Sequence, residues 1–267
     1  MFRVGTTSYI IPADILPNVK FLAPKVDDVQ LVLFETDEYG SNLPDAALRR
    51  ELVELGARHG MPYTVLLPLD LRLGDGGDAT HVSLVKARRV IDATRDLDPY
   101  AYTLHLDGRA LLERPSLREL SQWQDSSRDA LKVVSGWLDE PGRLCVENVE
   151  AWDPEAFAPV IGALPVSRTI DIGHLWLGGV DPLVHLSRWI DRARVIHLHG
   201  IAQRDHASLA HVPDARLDRV IAFLVERFSG VVTLEVFSEP DLASSFDALA
   251  GSLARLGVEE ANQWPKS

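Results

Sequence analysis

Eight short apolar runs, each followed by a longer connecting segment, constrain the fold of this chain more than any other feature. The runs are rich in Val, Ile, Leu and Thr and are bounded by turn or polar residues, which is typical of buried parallel strands. They cover residues 3–10, 28–35, 62–69, 101–106, 143–148, 167–173, 194–200 and 231–237. Strand–helix alternation repeated eight times predicts an α/β protein, a (β/α)₈ TIM barrel. The length of 267 residues suits one such barrel, which typically needs about 250.

Segments with helical spacing separate most of these runs. The clearest lies between Pro44 and His59, where Leu48, Leu52 and Leu55 recur at helical intervals. Other helices are predicted at about 80–95, 116–138, 154–162, 180–191, 213–228 and 240–256. Three prolines between the first two runs predict a short or irregular connection there: Pro12, Pro17 and Pro24. We predict a single domain over residues 1–257 and a C-terminal tail over 258–267.

An open, doubly wound sheet is the competing architecture. The first strand–helix turn argues against it, because residues 5–9 read Gly-Thr-Thr-Ser-Tyr rather than the glycine fingerprint of a dinucleotide-binding fold. The chain also lacks the glycine-rich phosphate loop of nucleoside triphosphatases. The glycine-rich segment 73–78 has two interpretations, a surface turn or a lid over the substrate.

The charge balance and the cysteine count narrow the class of protein. With 27 basic and 39 acidic residues, the net charge is −12, which disfavours a nucleic-acid or membrane-surface binder. A single cysteine, Cys145, excludes an intrachain disulfide and favours a reducing compartment, and we interpret it as core filling. Because we see neither a signal peptide nor an apolar run of the roughly 20 residues that span a bilayer, we predict a cytoplasmic protein.

Charged residues at the C-terminal ends of buried strands point to the function. Side chains of a barrel strand alternate between the interior and the helix layer, and active sites lie at the C-terminal mouth. This alternation turns four side chains inward at that mouth: Glu147, Asp171, His197 and Glu235. Three carboxylates buried together need a compensating charge, and a divalent cation supplies it. Carboxylate and imidazole ligands suit Mn²⁺, Zn²⁺, Fe²⁺ or Co²⁺.

Further polar residues lie near the same mouth. His174 follows the sixth run, and Asp205 and His206 follow the seventh, so a second metal could use His174 with one of them. His105 is as consistent with a structural histidine as with a ligand, and Glu35 suits a substrate or structural contact better than a metal. The remaining histidines are predicted to lie at the surface: His59, His81, His185 and His211.

At these residues the chain resembles the xylose-isomerase-like barrel superfamily, which includes the family-2 apurinic endonucleases. The resemblance rests on CVEN, TIDIGH, HLH and LEV, in that order along the chain. It implies a central metal held by the four inward residues, and further metals served by His105 and His174. Adjacent Asp205 and His206 match the superfamily's Asp-x-His imperfectly, and Leu66 stands where the endonucleases carry a histidine. The resemblance therefore favours one or two ions rather than three.

Longer segments are similar to the cobamide-remodelling phosphodiesterase family. These are GTTSYIIPADILPNV near the N-terminus and HLHG followed by RDHASL after the seventh run. The resemblance implies hydrolysis of a phosphoester in the nucleotide loop of a cobamide, with a corrinoid as small-molecule substrate and no nucleic acid as partner.

The chemistry agrees with a hydrolase, because a metal centre lowers the pKa of water and neutralises phosphate charge. Glu147, Glu235 and His174 are the candidate catalytic residues. The candidate substrate contacts are Arg72, Arg204, Glu35 and His199, the arginines because a guanidinium binds two phosphate oxygens.

Two other functional classes stay open. A sugar or sugar-phosphate isomerase or epimerase would use Glu147 and Glu235 to move a proton beside a single metal. A non-catalytic binding protein or a DNA-repair enzyme is the third alternative, which the acidic balance weakens. The sequence leaves the oligomeric state open, with a homo-oligomer among the alternatives.

Overall fold

Eight parallel strands close into a barrel in the computed structural model, which describes residues 1–36, 40–69, 71, 73, 81–106, 108, 115–150 and 152–258. The barrel strands are β1 (Arg3–Thr7), β2 (Asp28–Val32), β5 (Tyr63–Leu66), β6 (Ala101–His105), β7 (Leu144–Glu147), β8 (Ser167–Asp171), β9 (Ala193–Leu198) and β10 (Val231–Leu234). β1 pairs with both β10 and β2, which completes the ring. Two short strands, β3 (Glu35–Thr36) and β4 (Gly40–Ser41), form a separate antiparallel pair. The predicted closed barrel is confirmed.

Helices cover the outside of the barrel. They are α1 (Ile15–Leu22), α2 (Ala46–His59), α3 (Val82–Thr94), α4 (Leu117–Ser135), α5 (Ala158–Gly162), α6 (Ile172–Leu177), α7 (Pro182–Trp189), α8 (Asp214–Arg227) and α9 (Glu239–Arg255). Among the described residues, no helix combines the length and apolarity that crossing a bilayer requires.

Two helices differ from the sequence prediction. α1 occupies the connection that the prolines predicted to be irregular. Pro17 lies in the first turn of this helix, where backbone N–H groups make no intrahelical hydrogen bond, so the N–H that proline lacks is not missed. α6 begins inside the sixth apolar run, so strand β8 ends at Asp171 and not at residue 173. The side chain of Asp171 caps this helix by accepting a hydrogen bond from His174 N at 2.7 Å.

Because side chains alternate along each strand, the protein has two buried regions, one between the strands and the helices and one inside the barrel. Outward residues such as Ile170, Ile196 and Leu234 join the large apolar core between strands and helices. Inside the barrel, Cys145 packs with Ala101 and Val195. Burial raises the pKa of the Cys145 thiol to about 12, so it fills the core as predicted rather than serving as a nucleophile.

His185 corrects the prediction that it lies at the surface. It is 3% exposed, because α7 turns it toward the barrel, where its ring lies near Arg168 and Trp189. Pro182, His185 and Leu186 form the buried stripe of this helix. The spacing i, i+3, i+4 carried that signal in the sequence.

The strand register brings the polar ends together. His105 pairs with Glu147 between β6 and β7, and Asp171 pairs with His197 between β8 and β9. Thr233 pairs with His197, which places Glu235 just above it.

Three predictions fall wholly or mostly outside the described residues. They concern Arg72, the glycine-rich segment 73–78 beyond its first residue, and the predicted tail 258–267 beyond its first residue.

Candidate metal centre

Four buried side chains meet at the C-terminal mouth of the barrel. Glu147, Asp171, His197 and Glu235 each offer one donor atom, and these atoms lie within 4.8 Å of one another. The Nδ1 atom of His197 stands 3.0 Å from Glu147 Oε1 and 3.0 Å from Glu235 Oε2. Asp171 Oδ2 is 3.8 Å from the same nitrogen. The four residues that the sequence assigned to one site are therefore close enough to share one cation.

A second group of donors adjoins the first and shares Asp171 with it. It consists of Asp171, His174, His199 and His206, again with donor atoms within 4.8 Å of one another. His174 Nδ1 lies 3.4 Å from Asp171 Oδ2, and the rings of His199 and His206 stack with centroids 4.4 Å apart. The structure thus brings together His174 and His206, which the sequence placed near a second ion, and adds His199, which was predicted to be a substrate contact.

A third, more open group extends from His174 toward solvent. His174 Nε2 lies 3.4 Å from Asp205 Oδ2 and 3.5 Å from Glu150 Oε2. Asp205 was a predicted ligand, whereas Glu150 was not. Glu150 is exposed and follows β7 by three residues, so no strand-end pattern marked it.

Two neutral amides that the sequence reasoning missed hold the centre in place. Asn148 accepts a hydrogen bond from Asp171 N at 3.0 Å and donates one to Asp171 O at 2.9 Å. Gln30, inside the barrel on β2, contacts the Nε2 atom of His197 at 2.8 Å. The inward position of Gln30 on β2 was readable from alternation, but neither residue carries the charge that the search relied on.

The chain also makes room for His199 by having glycine at residue 173. A Cβ atom added to Gly173 would lie 2.0 Å from His199 Cε1, far inside van der Waals contact. Only glycine therefore allows the first turn of α6 to pass this close to the ring.

The donor set fits a divalent cation. Four buried polar atoms among these residues have no hydrogen-bond partner: Asp171 Oδ2, His174 Nε2, His199 Nε2 and Glu235 Oε2. Buried polar atoms without partners are rare in folded proteins, and a cation would satisfy atoms of this kind. The donors are carboxylate oxygens and imidazole nitrogens, which suit Mn²⁺, Zn²⁺, Fe²⁺ or Co²⁺.

The acids and the imidazoles of the centre shift each other's pKa in opposite directions. Burial alone would raise the pKa of Glu147, but the charges of His197 and His105 hold it below its usual range. Burial alone would lower the pKa of His174, but the charge of Asp171 and the nearby carboxylate of Asp205 raise it to about 11. Protons on the imidazoles balance the carboxylates, and a cation would take over that role.

His105 faces the centre from its other side. Its Nε2 atom lies 3.0 Å from Glu147 Oε2, and its side chain is 22% exposed to the cavity above. Leu66, where the resemblance would place a histidine, lines the same cavity. The structure therefore has a leucine at residue 66 and a histidine at residue 105, two positions where the endonuclease pattern has histidines.

Two predicted substrate contacts lie elsewhere. Glu35 pairs with Arg89 at 2.7 Å, and the guanidinium of Arg204 pairs with Asp241. Each is held in an ion pair, and neither is among the residues that line the cavity. His199 is buried beneath the cavity and contacts Asp171 Oδ1 at 3.2 Å, so it supports the centre from below.

A cavity of about 710 Å³ opens above the centre. Its floor contains His105, Glu147, His174, His206 and Glu235. Its walls are mostly aromatic and aliphatic, with one carboxylate, Glu150: the other wall residues are Tyr9, Val32, Phe34, Leu66, Leu69, Leu106, Val149, Trp152 and Phe237. A second cavity of about 410 Å³ lies beside it, and Val149, Trp152 and His174 line both.

Comparison with known proteins places the chain in a family. The family model described as xylose isomerase-like TIM barrel, AP endonuclease family 2, matches residues 25–256, and the chain belongs to this family. A comparison with curated protein sequences finds no match.

Solved structures share the fold over nearly their whole length. A D-tagatose 3-epimerase-like protein has a TM-score of 0.77 at 15% identity, with 96% of this chain and 98% of that chain covered. Endonuclease IV from Thermus thermophilus has a TM-score of 0.70 at 20% identity, with 96% and 99% covered. An L-ribulose 3-epimerase has a TM-score of 0.66 at 15% identity, with 98% and 96% covered. Similarity at these identities establishes the fold.

Proposed function

We propose that this protein is a metal-dependent phosphodiesterase that hydrolyses a phosphoester in the nucleotide loop of a cobamide. The observation that carries the proposal is the second donor group, which shares Asp171 with the four-residue centre and adds His174, His199 and His206. An isomerase that works with one ion has no need of these three buried or half-buried imidazoles. A hydrolase gains from them, because a second positive centre offsets the charge that develops on a transferred phosphoryl group.

The cavity suits a bulky substrate that has apolar surface. A volume of about 710 Å³, with walls that include Phe34, Trp152 and Phe237, can hold the part of a corrinoid that adjoins the phosphoester. The adjoining cavity of about 410 Å³ gives the other substituent of a phosphodiester a place on the far side of His174. A free sugar, in contrast, needs polar groups along the wall to bind its hydroxyls.

The charges around the cavity favour a small-molecule substrate over a nucleic acid. Among the described residues that line either cavity, none is a lysine or an arginine. The chain carries a net charge of −12, whereas proteins that bind the DNA backbone usually present a basic surface. A divalent ion at the centre would offset the phosphate charge.

The floor residues have distinct roles in this proposal. A divalent ion held by Glu147, Asp171, His197 and Glu235 would lower the pKa of water and polarise the phosphoryl group. His105 Nε2 lies 3.0 Å from Glu147 Oε2 and faces the cavity, so it is placed to give a proton to the departing oxygen. His206 Nε2 lies 3.4 Å from Glu235 Oε2, on the other side of the floor.

A sugar or sugar-phosphate epimerase or isomerase is the second candidate. The fold similarity to a D-tagatose 3-epimerase-like protein and to an L-ribulose 3-epimerase favours it. So does the pair of carboxylates, because Glu147 and Glu235 each stand 3.0 Å from the same nitrogen of His197 and could move a proton between two faces of a sugar carbon.

Mass spectrometry of reaction products separates the two candidates. The protein is incubated with an intact cobamide and, separately, with D-tagatose and L-ribulose, with Mn²⁺, Zn²⁺, Fe²⁺ or Co²⁺ added in turn. We expect cleavage of the cobamide into two products whose summed mass exceeds the substrate by one water. Glu147→Gln should abolish cleavage, and Glu35→Gln, a carboxylate outside the cavity, should not. Conversion of a ketose without cobamide cleavage under any metal would contradict the proposal.

A further inference from the structure

Gln30 makes the one hydrogen-bond contact with the Nε2 atom of His197 that the structure describes. Its side chain lies inside the barrel and is fully buried. Its Nε2 atom is 2.8 Å from His197 Nε2, and its Oε1 atom is buried with no hydrogen-bond partner. The other ring nitrogen, Nδ1, faces Glu147 and Glu235 at 3.0 Å each. The ring therefore turns one nitrogen to the metal centre and the other to the amide of Gln30.

The chemistry of a ligating imidazole fixes what Gln30 has to do. A nitrogen that binds a cation must present a lone pair, so a neutral His197 bound through Nδ1 carries its proton on Nε2. That buried N–H needs an acceptor, and an amide nitrogen cannot supply one. Turning the Gln30 amide by 180° about its last side-chain bond brings Oε1 to the place where Nε2 now lies.

We propose that Gln30 is a positioning residue that accepts a hydrogen bond from Nε2–H of His197 and so presents the Nδ1 lone pair to the metal. The amide orientation with Oε1 toward the ring belongs to the metal-loaded protein. This inference rests on the proposed metal centre but not on the identity of the substrate. Residues that hold ligating histidines in this way typically change metal affinity by about 10- to 100-fold when they are replaced.

Metal affinity without substrate tests the proposal. Zn²⁺ and Mn²⁺ dissociation constants are measured by chelator competition for the wild type, Gln30→Met and Gln30→Glu. Methionine keeps the length but removes the acceptor, so we expect binding about 10- to 100-fold weaker. Glutamate keeps an acceptor and no donor, so we expect binding within a few-fold of the wild type. Equal weakening in both variants, or no weakening in Gln30→Met, would overturn the proposal.

A matched control removes a different hydrogen bond from the barrel interior. Thr103 and Thr169 share a buried hydroxyl–hydroxyl contact of 2.8 Å, and neither is among the four residues of the centre. Thr103→Val should leave both dissociation constants unchanged. A loss equal to that of Gln30→Met would show that general damage to the interior, and not the acceptor, weakens binding.

The wild-type protein gives a second test that does not depend on variant folding. Histidines are labelled with ¹⁵N, and the protein is loaded with ¹¹³Cd²⁺. We expect ¹¹³Cd–¹⁵N coupling at Nδ1 of His197 and a bonded proton at its Nε2. Coupling at Nε2, or no proton there, would overturn the proposal, as would the absence of any bound metal. If Gln30 behaves as expected but no cobamide is cleaved, this inference stands and the proposed reaction fails.

Discussion

Asp28 should make the stability of this protein fall as pH rises. Its carboxyl group lies inside the barrel at the start of β2 and is fully buried. Thr64 Oγ1 donates a hydrogen bond to its Oδ1 at 2.7 Å, and its Oδ2 has no hydrogen-bond partner. Burial raises the pKa of Asp28 from 3.8 to about 7, although the hydrogen bond from Thr64 works in the opposite direction.

The size and sign of the effect follow from these values. Between pH 3.8 and about 7, the folded protein holds a proton on Asp28 that the unfolded chain releases. The contribution of Asp28 to the free energy of unfolding is therefore fully present below pH 3.8 and is lost as pH rises toward 7. The pKa difference corresponds to roughly 4 kcal/mol at 1.36 kcal/mol per pH unit. Asp28→Asn keeps an acceptor for Thr64 but removes the ionisation, so it should abolish this loss.

Urea unfolding of metal-free protein, followed by tryptophan fluorescence from pH 4 to 8, measures the effect. Asp28→Asn should match the wild type near pH 4 and exceed it by up to about 4 kcal/mol at pH 8. The other ionisable groups are common to both proteins, so their contribution cancels in the difference. Asp139→Asn, which changes an exposed carboxylate, should give no comparable pH trend. A difference that does not depend on pH, or that shrinks as pH rises, would refute the reasoning.

Two further substitutions test the helix layer and the packing under the centre. Burial and the charge of Arg168 lower the pKa of His185 to about 4, so the free energy of unfolding should fall as pH drops from 6.5 to 4. His185→Phe should remove roughly 3 kcal/mol of this acid dependence in the urea assay. A variant that keeps the wild-type pH dependence would contradict this prediction. Gly173→Ala should push against His199 and cost about 1–3 kcal/mol in thermal unfolding, whereas Gly162→Ala, with no atom within 4 Å of the added carbon, should not. Equal stability of the two glycine variants would contradict the packing argument.

The barrel and its four central donors could be predicted because both follow from the two-residue period of a strand. Once the interior side of a strand is known, a strand-end residue such as Glu147 or Asp171 points into the mouth. The register then brings these ends together, as in the pairing of Asp171 with His197. No long-range contact had to be guessed.

The rest depended on contacts that the sequence does not display. Whether Pro17 breaks a helix depends on its position within the first turn, and the sequence did not locate that turn. The roles of Gln30 and Asn148 come from the atoms that they face, and a neutral amide on a strand looks the same with or without such a partner. The ion pair between Arg204 and Asp241 joins residues that are distant in the sequence, so no local pattern showed it.

Hydrolysis in ¹⁸O-labelled water tests whether this protein is a metal-dependent phosphodiesterase. Metal-loaded protein is incubated with an intact cobamide in labelled water, and the products are analysed by mass spectrometry. We expect one ¹⁸O atom per cleavage, on the phosphate or on the freed hydroxyl, and no cleavage after chelation or in Glu147→Gln. Cleavage that continues at an undiminished rate without metal, or products that carry no label, would contradict it.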